Sequence, residues 1–386
     1  MKILFVISSD GGNAVGGHYN SLDQVSREVS KIHEVKIVSF GTTISPLIAK
    51  NPNFARHFQS KLNLLPLLKQ KDNFSKFVKN FQPDIIHVFD AEALNCILFL
   101  DLFSKIPIVL NKCGGPNPKR KNYFHADAIV VFSKENQAWY LQNPNYEEND
   151  IFLIPNRVRK LEPLAEDQRL EIKPINKTTF LRVSRLGGAY EKTLLDSYNL
   201  IEKINKKNPA ELIVVGRVQN KSRFDMLKQE AVKRNIPVRF ITDERASRGS
   251  DFLYLADFVI GTGRSFMEAA SLSKPCLTPA KNADEPILVD KQNFEHFFKT
   301  NFSERNFSDQ DSLENNISKI ESAIENKEDY KRLSEESKLI FDEYFGTQKI
   351  QEKYNSVYQY LQRKKLNRRK IILKNLPYLV KFSLNR

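Results

Sequence analysis

The chain has 386 residues, of which 41% are hydrophobic, and carries a formal net charge of +14. This length predicts two or three domains with substantial cores. No apolar stretch approaches the roughly 18 residues of a membrane span, and no cleavage pattern of a signal peptide follows the opening MKILFVI. Three scattered cysteines favour neither a disulfide framework nor a zinc cluster, so we expect a cytoplasmic protein without a metal cofactor.

Short apolar segments alternate with longer helical patterns, which is typical of βαβ units. The first half offers a helix over residues 17–32, and polar residues 159–177 form a candidate linker. The predicted strands are KILFVI, VKIVSF, DIIHVF, IPIVLNK, DAIVVF and IFLIPN before the linker, and TTFLRVSRL, ELIVVGR, PVRFIT, DFVIGTG and PCLTP after it. We therefore predict an α/β protein with two doubly wound halves facing a cleft, where ligands bind at the carboxyl ends of strands.

The last part of the chain changes character. We expect residues 303–328 to be a polar helix or a surface insertion, and residues 329–365 to be helical. Residues 361–386 contain nine Lys or Arg and no acid, interleaved with large apolar residues, so they could lie on an anionic membrane. The alternative is a solvated, partly disordered tail, since Pro377 would interrupt a long helix. Nucleic acid is a weaker alternative, because no reading motif is present.

Paired glycines follow the first predicted strand, as Gly11-Gly12 and Gly16-Gly17. Their spacing is not G-x-G-x-x-G, and no acidic residue ends the second strand, so a nicotinamide cofactor is unsupported. Glycines at the carboxyl end of a strand let a ligand approach the backbone, although a flexible turn is the alternative. His18 follows this loop and is therefore a candidate functional residue.

Two further strand ends in the first half carry polar residues. His87 lies inside DIIHVF and is predicted to be a hydrogen-bonded core histidine. Asp90, just past that strand, could orient a ligand hydroxyl or serve as a base, or it could cap a helix. Cys113 and Gly114 follow IPIVLNK at a strand end, and we expect them to line a ligand pocket. A nucleophilic role for Cys113 is disfavoured, because no activating base is near in sequence.

Basic residues follow the first strand of the second half. Arg185 stands just past a strand, and Lys192 comes after a Gly187-Gly188 turn, near the start of the next helix. Two cations held in this way can clamp a diphosphate and stabilise its charge as it leaves. The alternative is a pair of solvated surface charges. Arg182 lies within the strand pattern and is predicted to be structural.

The segment ADFVIGTGRSFMEAASLSKP breaks an apolar run at Gly261-Thr262-Gly263 and continues as a helix. A strand, a glycine turn and a helix start form an anion site, because unpaired backbone N–H groups and the helix dipole point at the turn. Arg264 adds a fixed charge and Ser265 lies beside it. Glu268, one turn into the helix, could reach a hydroxyl next to a bound phosphate. Together these residues suggest a sugar-nucleotide site.

These features, with the IPN segment at 154–156 and ELIVVG ending at Gly216, occur in the order typical of GT-B-fold, family 4-like retaining glycosyltransferases. The chain resembles that family from its start to about residue 345. The resemblance implies an acceptor domain over 1–158, a nucleotide-sugar domain over 159–345, and a crossing helix with a basic tail over 346–386. It places Arg185 and Lys192 on the diphosphate and Glu268 on the ribose of a UDP- or GDP-sugar.

Two departures stand beside the resemblance. Ile260 occupies the position of the first glutamate of the family's E-x7-E motif, and no histidine follows IPIVLNK. We expect sugar transfer with retention to a lipid-linked or cell-surface polysaccharide acceptor. The alternatives are a sugar-nucleotide epimerase and a non-catalytic nucleotide-sugar-binding scaffold. The expected site residues are Arg185, Lys192 and His18 as catalytic groups; Gly216, Gly261, Thr262, Gly263, Arg264, Ser265 and Glu268 for the donor; and Gly16, Gly17, Asp90, Cys113 and Gly114 for the acceptor or sugar.

Overall fold

The computed structural model describes residues 1–9, 16–100, 105–119, 124–143, 146–169, 171 and 173–384. The chain divides into two compact units. The first comprises residues 1–156 together with 347–386, and the second comprises residues 157–346. The chain therefore passes from the first unit to the second just before the predicted linker, and its C-terminal segment belongs to the first unit.

The first unit contains a seven-stranded, wholly parallel sheet with strand order β3-β2-β1-β4-β5-β6-β7. Its strands are β1 (Lys2–Ser8), β2 (Glu34–Gly41), β3 (Phe54–Gln59), β4 (Ile85–Val88), β5 (Ile108–Lys112), β6 (Ala128–Val131) and β7 (Ile151–Leu153). The intervening helices are α1 (Gly17–Val29), α2 (Pro46–Ala49), α3 (Leu64–Leu68), α4 (Lys71–Phe81), α5 (Ala91–Leu100) and α6 (Lys134–Leu141).

The second unit contains a six-stranded sheet with order β10-β9-β8-β11-β12-β13, in which only the last pair is antiparallel. Its strands are β8 (Thr178–Val183), β9 (Ala210–Val215), β10 (Val238–Ile241), β11 (Phe258–Ile260), β12 (Cys276–Thr278) and β13 (Ile287–Val289). Its helices are α7 (Glu191–Ile204), α8 (Lys221–Lys233), α9 (Arg264–Ser271), α10 (Phe294–Phe298), α11 (Gln310–Glu314), α12 (Asn316–Glu325) and α13 (Lys327–Ile340).

All eleven predicted strand segments form strands, and the two-sheet α/β architecture is confirmed. The sequence missed β3 and β13, which lie at the edges of the two sheets. Five of the six residues of β3 are partly or fully exposed, so it lacks the buried apolar run of a central strand, whereas β13 is buried and apolar but only three residues long. Helix α1 buries Leu22, Val25 and Val29 as its spacing predicted.

The chain returns to the first unit through α14 (Ile350–Arg363), which packs on the sheet. Tyr358 lies with its hydroxyl 2.9 Å from Nδ1 of His87 in β4, and the Tyr354 hydroxyl donates to Oδ1 of Asn111 at 2.9 Å. Burial lowers the pKa of His87 to about 3, so the imidazole is neutral. The prediction of a hydrogen-bonded core histidine is confirmed.

The basic tail forms a second helix, α15 (Arg368–Leu384). Pro377 lies inside this helix, so the expectation that it would interrupt a long helix is wrong. The Oδ1 of Asn367 accepts the amide of Lys370 at 3.0 Å and satisfies one donor of the first turn. Ile371, Leu379 and Phe382 are buried in the core of the first unit. The alternative of a solvated, partly disordered tail is therefore also wrong for the residues that the structure describes.

Candidate nucleotide-sugar site

The sheet of the second unit reverses its strand order between β8 and β11, which lie side by side with Arg182 opposite Ile260. At such a switch point the connections leave neighbouring strands in opposite directions, and ligands bind beyond the carboxyl ends. The residues beyond β8 lead to Arg185, and those beyond β11 begin at Gly261. The fold thus brings two separately predicted motifs to one edge of the sheet.

The glycine turn after β11 has a backbone path that a side chain would obstruct. A Cβ added at Gly261 would lie 2.6 Å from the amide nitrogen of Phe266, well inside contact distance. Gly263 has φ +48° and ψ −113°, a conformation that residues with a side chain rarely adopt. The turn leads directly into α9, and the positive end of the dipole of that helix favours an anion beside the turn.

Thr262 and Ser265 bond to each other across the turn. The Thr262 amide donates to the Ser265 hydroxyl at 3.0 Å, and that hydroxyl donates to the Thr262 carbonyl oxygen at 3.1 Å. This pair fixes the start of α9. Ser265 is 9% exposed, and its hydroxyl stabilises the turn through these two bonds. It is also one of the residues predicted to contact the sugar-nucleotide donor.

Arg264 and Glu268 form an ion pair one helical turn apart. The Arg264 Nε lies 2.7 Å from Oε1 of Glu268, whose residue is 8% exposed. Burial raises the pKa of Glu268, and the Arg264 charge opposes that rise. A bound hydroxyl donating to Glu268 would further favour the carboxylate. The predicted phosphate cation and the predicted ribose carboxylate are thus held in one fixed arrangement.

Of the two predicted diphosphate cations, Arg185 lies in the segment that follows β8 and Lys192 lies in the first turn of α7, and both side chains are exposed. The Arg185 Nη2 donates to the Tyr190 hydroxyl at 2.6 Å, and the guanidinium lies 5.0 Å from the centre of that ring. The Lys192 ammonium is 3.0 Å from the buried Asp196 carboxylate and 61% of its side chain is exposed. These partners orient each cation without covering it, which is the preorganisation that a diphosphate clamp requires.

Two residues near these cations have packing roles. Arg182 is buried and bonds to Ser184, the Thr193 carbonyl and hydroxyl, and Ser197, so the prediction of a structural cation is confirmed. Its pKa falls to about 10 because of burial. A Cβ at Gly216 would lie 1.7 Å from the Ser184 carbonyl oxygen, so Gly216 lets β9 pass closely beside the segment that follows β8.

Ile260, which stands where the family motif has its first glutamate, is the last residue of β11 and is 1% exposed. Its side chain is in the core on the α7 side of the sheet. A carboxylate with that orientation would be a buried, unpaired charge, which is strongly unfavourable. The missing glutamate is therefore compatible with the local packing.

Sequence reasoning missed a segment beside the glycine turn. A Cβ placed at Gly263 would be 3.5 Å from Nδ2 of Asn301, and the Thr278 hydroxyl at the end of β12 donates to the Phe302 carbonyl at 3.1 Å. Asn301 and Phe302 both have positive φ, at 58° and 53°. No motif links residue 301 to residue 263, and the one available signal is that asparagine tolerates such a conformation.

The first unit has its own reversal of strand order, between β1 and β4. Gly16 precedes α1, Gly17 begins it, and His18 is half-buried near the carboxyl ends of the strands. Burial lowers the pKa of His18, and the Asp90 charge opposes this change. The imidazole is therefore mainly neutral at neutral pH and can accept a proton. The prediction for Gly11 and Gly12 concerns residues outside the described part of the chain.

A cavity of about 230 Å³ at these strand ends brings together His18, Asp90, Cys113 and Gly114, four of the predicted acceptor-site or catalytic residues. Asp90 accepts the Ser8 amide and the Ala93 amide, each at 2.7 Å, so it both ties β1 to β4 and caps α5. Both carboxylate oxygens have structural partners, which supports the helix-cap alternative. Asp90 remains on the cavity wall.

Cys113 and its neighbours form the opposite wall. Burial raises the pKa of Cys113 to about 12, so the thiol stays protonated and is a poor nucleophile. Its sulfur accepts from Nδ2 of Asn111 at 3.2 Å. Gly114 has φ +70°, and its carbonyl accepts from the Lys112 ammonium at 2.6 Å. This wall therefore presents backbone and a cation rather than a catalytic thiol.

Two parallel-sheet units, each with a strand-order reversal, and a last helix that returns to the first unit define the GT-B fold. A glycosyltransferase from Rickettsia africae superposes with a TM-score of 0.71 at 14% identity, covering 94% of this chain and 100% of that one. HepE from Anabaena, solved with UDP and glucose, gives 0.65 at 16% identity, covering 94% and 100%.

The same fold includes a protein from Listeria monocytogenes assigned as a UDP-N-acetylglucosamine 2-epimerase, with a TM-score of 0.58 at 12% identity, covering 94% of this chain and 97% of that one. No family model matches the chain, and no curated protein matches it significantly. Among the described residues, no helix is long and apolar enough to cross a bilayer, and no three His, Cys, Asp or Glu side chains cluster as metal ligands would.

Proposed function

We propose that this protein transfers a sugar from a nucleoside diphosphate sugar to an acceptor. The observation that carries the proposal is the switch point of the second unit, where the glycine turn and the start of α9 share one sheet edge with Arg185 and Lys192. Backbone N–H groups, a helix dipole and two preoriented cations suit a diphosphate better than any other common ligand. HepE, which has the same fold, was solved with UDP. A UDP-sugar is therefore the first donor to test, followed by a GDP-sugar.

In this proposal Arg185 and Lys192 stabilise the diphosphate as it leaves, and Glu268 accepts from the ribose hydroxyls. Transfer proceeds with retention. The bond between the anomeric carbon and the diphosphate oxygen breaks, the acceptor oxygen bonds to the same face of that carbon, and the acceptor proton passes to the departing diphosphate. His18, in the cavity of the first unit, is proposed to orient the acceptor, since the single proton of the acceptor hydroxyl goes to the diphosphate.

The acceptor proposed for the first unit is a lipid-linked or cell-surface polysaccharide, and the protein works at the inner face of the membrane. The support is the cavity of about 230 Å³ beside His18, which has room for a sugar ring, and the excess of cations in the last 26 residues. Cation-rich segments with apolar side chains favour anionic lipid surfaces.

The direct experiment is Lys192→Met in the full-length protein. Loss of one preorganised charge on the leaving group should lower transfer from the preferred donor by roughly 10²-fold. Lys206→Met is the matched control, because it removes the same exposed charge just beyond the other end of α7. Transfer would be followed as UDP or GDP release with a panel of donors and lipid extracts, and the product's anomeric configuration would be read by NMR. Equal rates in the two variants would remove Lys192 from the site.

A second candidate function is epimerisation of a sugar nucleotide. The Listeria structure has this fold, and Ile260 removes the carboxylate expected to bind the donor sugar in a transferase. Incubating each donor without acceptor distinguishes the two functions. An epimerase would convert the sugar while leaving the diphosphate bond intact, whereas a transferase would leave the stereochemistry of the unreacted donor unchanged.

A further inference from the structure

Helix α15 is fixed on the first unit by a two-way contact with the backbone. The Asn375 side chain accepts the His125 amide at 2.9 Å and donates to the His125 carbonyl at 2.8 Å, and Asn375 is fully buried. Phe99 of α5 stacks on Phe382, with ring centres 5.5 Å apart. Because the helix is held at its middle and near its carboxyl end, the face that it turns outward is fixed as well.

That outward face carries large apolar side chains. Leu373 is 68% exposed, and Leu376 and Val380 are each 49% exposed. Their spacing of three and four residues places them in one stripe along the helix. Arg369 and Lys381 are exposed near its two ends. An apolar stripe flanked by cations is the pattern of a helix that lies in a membrane interface.

A cavity of about 280 Å³ lies at the beginning of the helix, between α15 and the residues that directly precede β6 and β7. Lys365, Lys370 and Lys374 line it, together with His125, which is 3% exposed and whose buried Nε2 has no hydrogen-bond partner. Burial and the neighbouring Lys370 charge lower the pKa of Lys374, and the carboxylates of Asp150 and Glu147 oppose this change. An anion at this position would relieve the repulsion between the two lysines.

The carboxylates of the same cavity have partners of their own. Asp150 pairs with Lys364 and accepts from the Tyr360 hydroxyl at 2.6 Å, and Asp127 accepts the Ile108 amide at 2.8 Å. Glu147 also lines the cavity. Four lysines, including Lys370 and Lys374 of α15, face these three carboxylates, so the formal charge of the cavity lining is positive by one.

We infer that the outward face of α15 is the membrane-docking surface of this protein, and that the adjacent cavity receives the phosphate of an anionic phospholipid. Leu373, Leu376 and Val380 would enter the acyl boundary, while Lys370 and Lys374 would contact the headgroup. This inference extends the proposed action on a lipid-linked acceptor, but its test requires no transfer.

The test is co-sedimentation of the full-length protein with vesicles of phosphatidylcholine, alone or mixed with phosphatidylglycerol. Binding should require phosphatidylglycerol. Lys370→Gln with Lys374→Gln should lower the partition constant about 30-fold, since each cation near an anionic surface contributes about 1 kcal/mol. Leu373→Ser with Val380→Ser should lower it at least tenfold. Matched controls are Lys206→Gln with Lys233→Gln and Leu339→Ser with Val232→Ser, exposed pairs of the second unit.

The outcomes separate this inference from the proposed function. If the α15 variants bind vesicles as tightly as the controls, α15 is not the docking surface, and the inference fails even if sugar transfer is observed. Equal binding to vesicles without phosphatidylglycerol would overturn the headgroup assignment. Binding of UDP, measured by thermal shift on every variant, reports the donor site independently and verifies that each variant is folded.

Discussion

Gly261→Ala tests whether the glycine turn serves the ligand or only the fold. The added Cβ would lie 2.6 Å from the Phe266 amide nitrogen and 2.8 Å from its Cα, so the first turn of α9 must move by several tenths of an ångström. Overpacking of this kind costs about 1–3 kcal/mol. For a unit of this size, a loss of about 2 kcal/mol lowers Tm by about 4–8 °C.

The larger consequence should be for binding. Moving the start of α9 displaces backbone donors aimed at the diphosphate, and loss of one hydrogen bond to a charged group costs about 1.5–3 kcal/mol. The Kd for UDP should therefore rise roughly 10- to 100-fold. Calorimetric titration would measure this change well below Tm, where the variant is folded.

Gly346→Ala is the control, because its added Cβ would meet nothing closer than 3.8 Å and its φ is −63°. It should leave both Tm and Kd nearly unchanged. If Gly261→Ala lowers Tm as expected but binds UDP with unchanged affinity, the turn is structural, and the assignment of the donor site to this sheet edge is refuted.

Two further predictions concern buried titratable groups. The pKa of His87 is about 3 in the folded protein, against 6.5 in the unfolded chain. Between these values the unfolded chain binds a proton that the folded protein does not, so the protein becomes less stable as the pH decreases. From pH 7 to pH 4.5, this residue should lower the free energy of unfolding by about 2–3 kcal/mol. His87→Gln should show a correspondingly smaller loss in denaturant titrations at the two pH values, and an equal loss would contradict the burial argument. Glu268→Gln should weaken UDP binding about 5- to 10-fold, because a neutral amide accepts more weakly than a carboxylate, while leaving binding of an analogue without ribose hydroxyls unchanged. Equal weakening of both ligands would exclude the ribose contact.

The local sequence determined the central strands, because an apolar run with a glycine or a charge at its end has few alternatives in a parallel sheet. It also determined the candidate residues, since ligand-binding groups in such sheets lie just past the carboxyl ends of strands. Arg185 and Gly261 were identifiable for this reason. The edge strands β3 and β13 were not, because β3 is largely exposed and β13 has only three residues.

Only the tertiary structure decided which of these residues meet. The reversal between β8 and β11 places the strand that precedes Arg185 beside the strand that precedes the Gly261 turn, some 75 residues later, and no local pattern encodes that neighbour. Long-range partners also settled the basic tail. The hydrogen bonds between Asn375 and His125 join residues that are 250 positions apart in the chain. They hold the tail as a helix packed on the first unit, a conformation that its composition alone did not predict. Composition reports the charge of a segment, but its orientation depends on the surface that buries its other face.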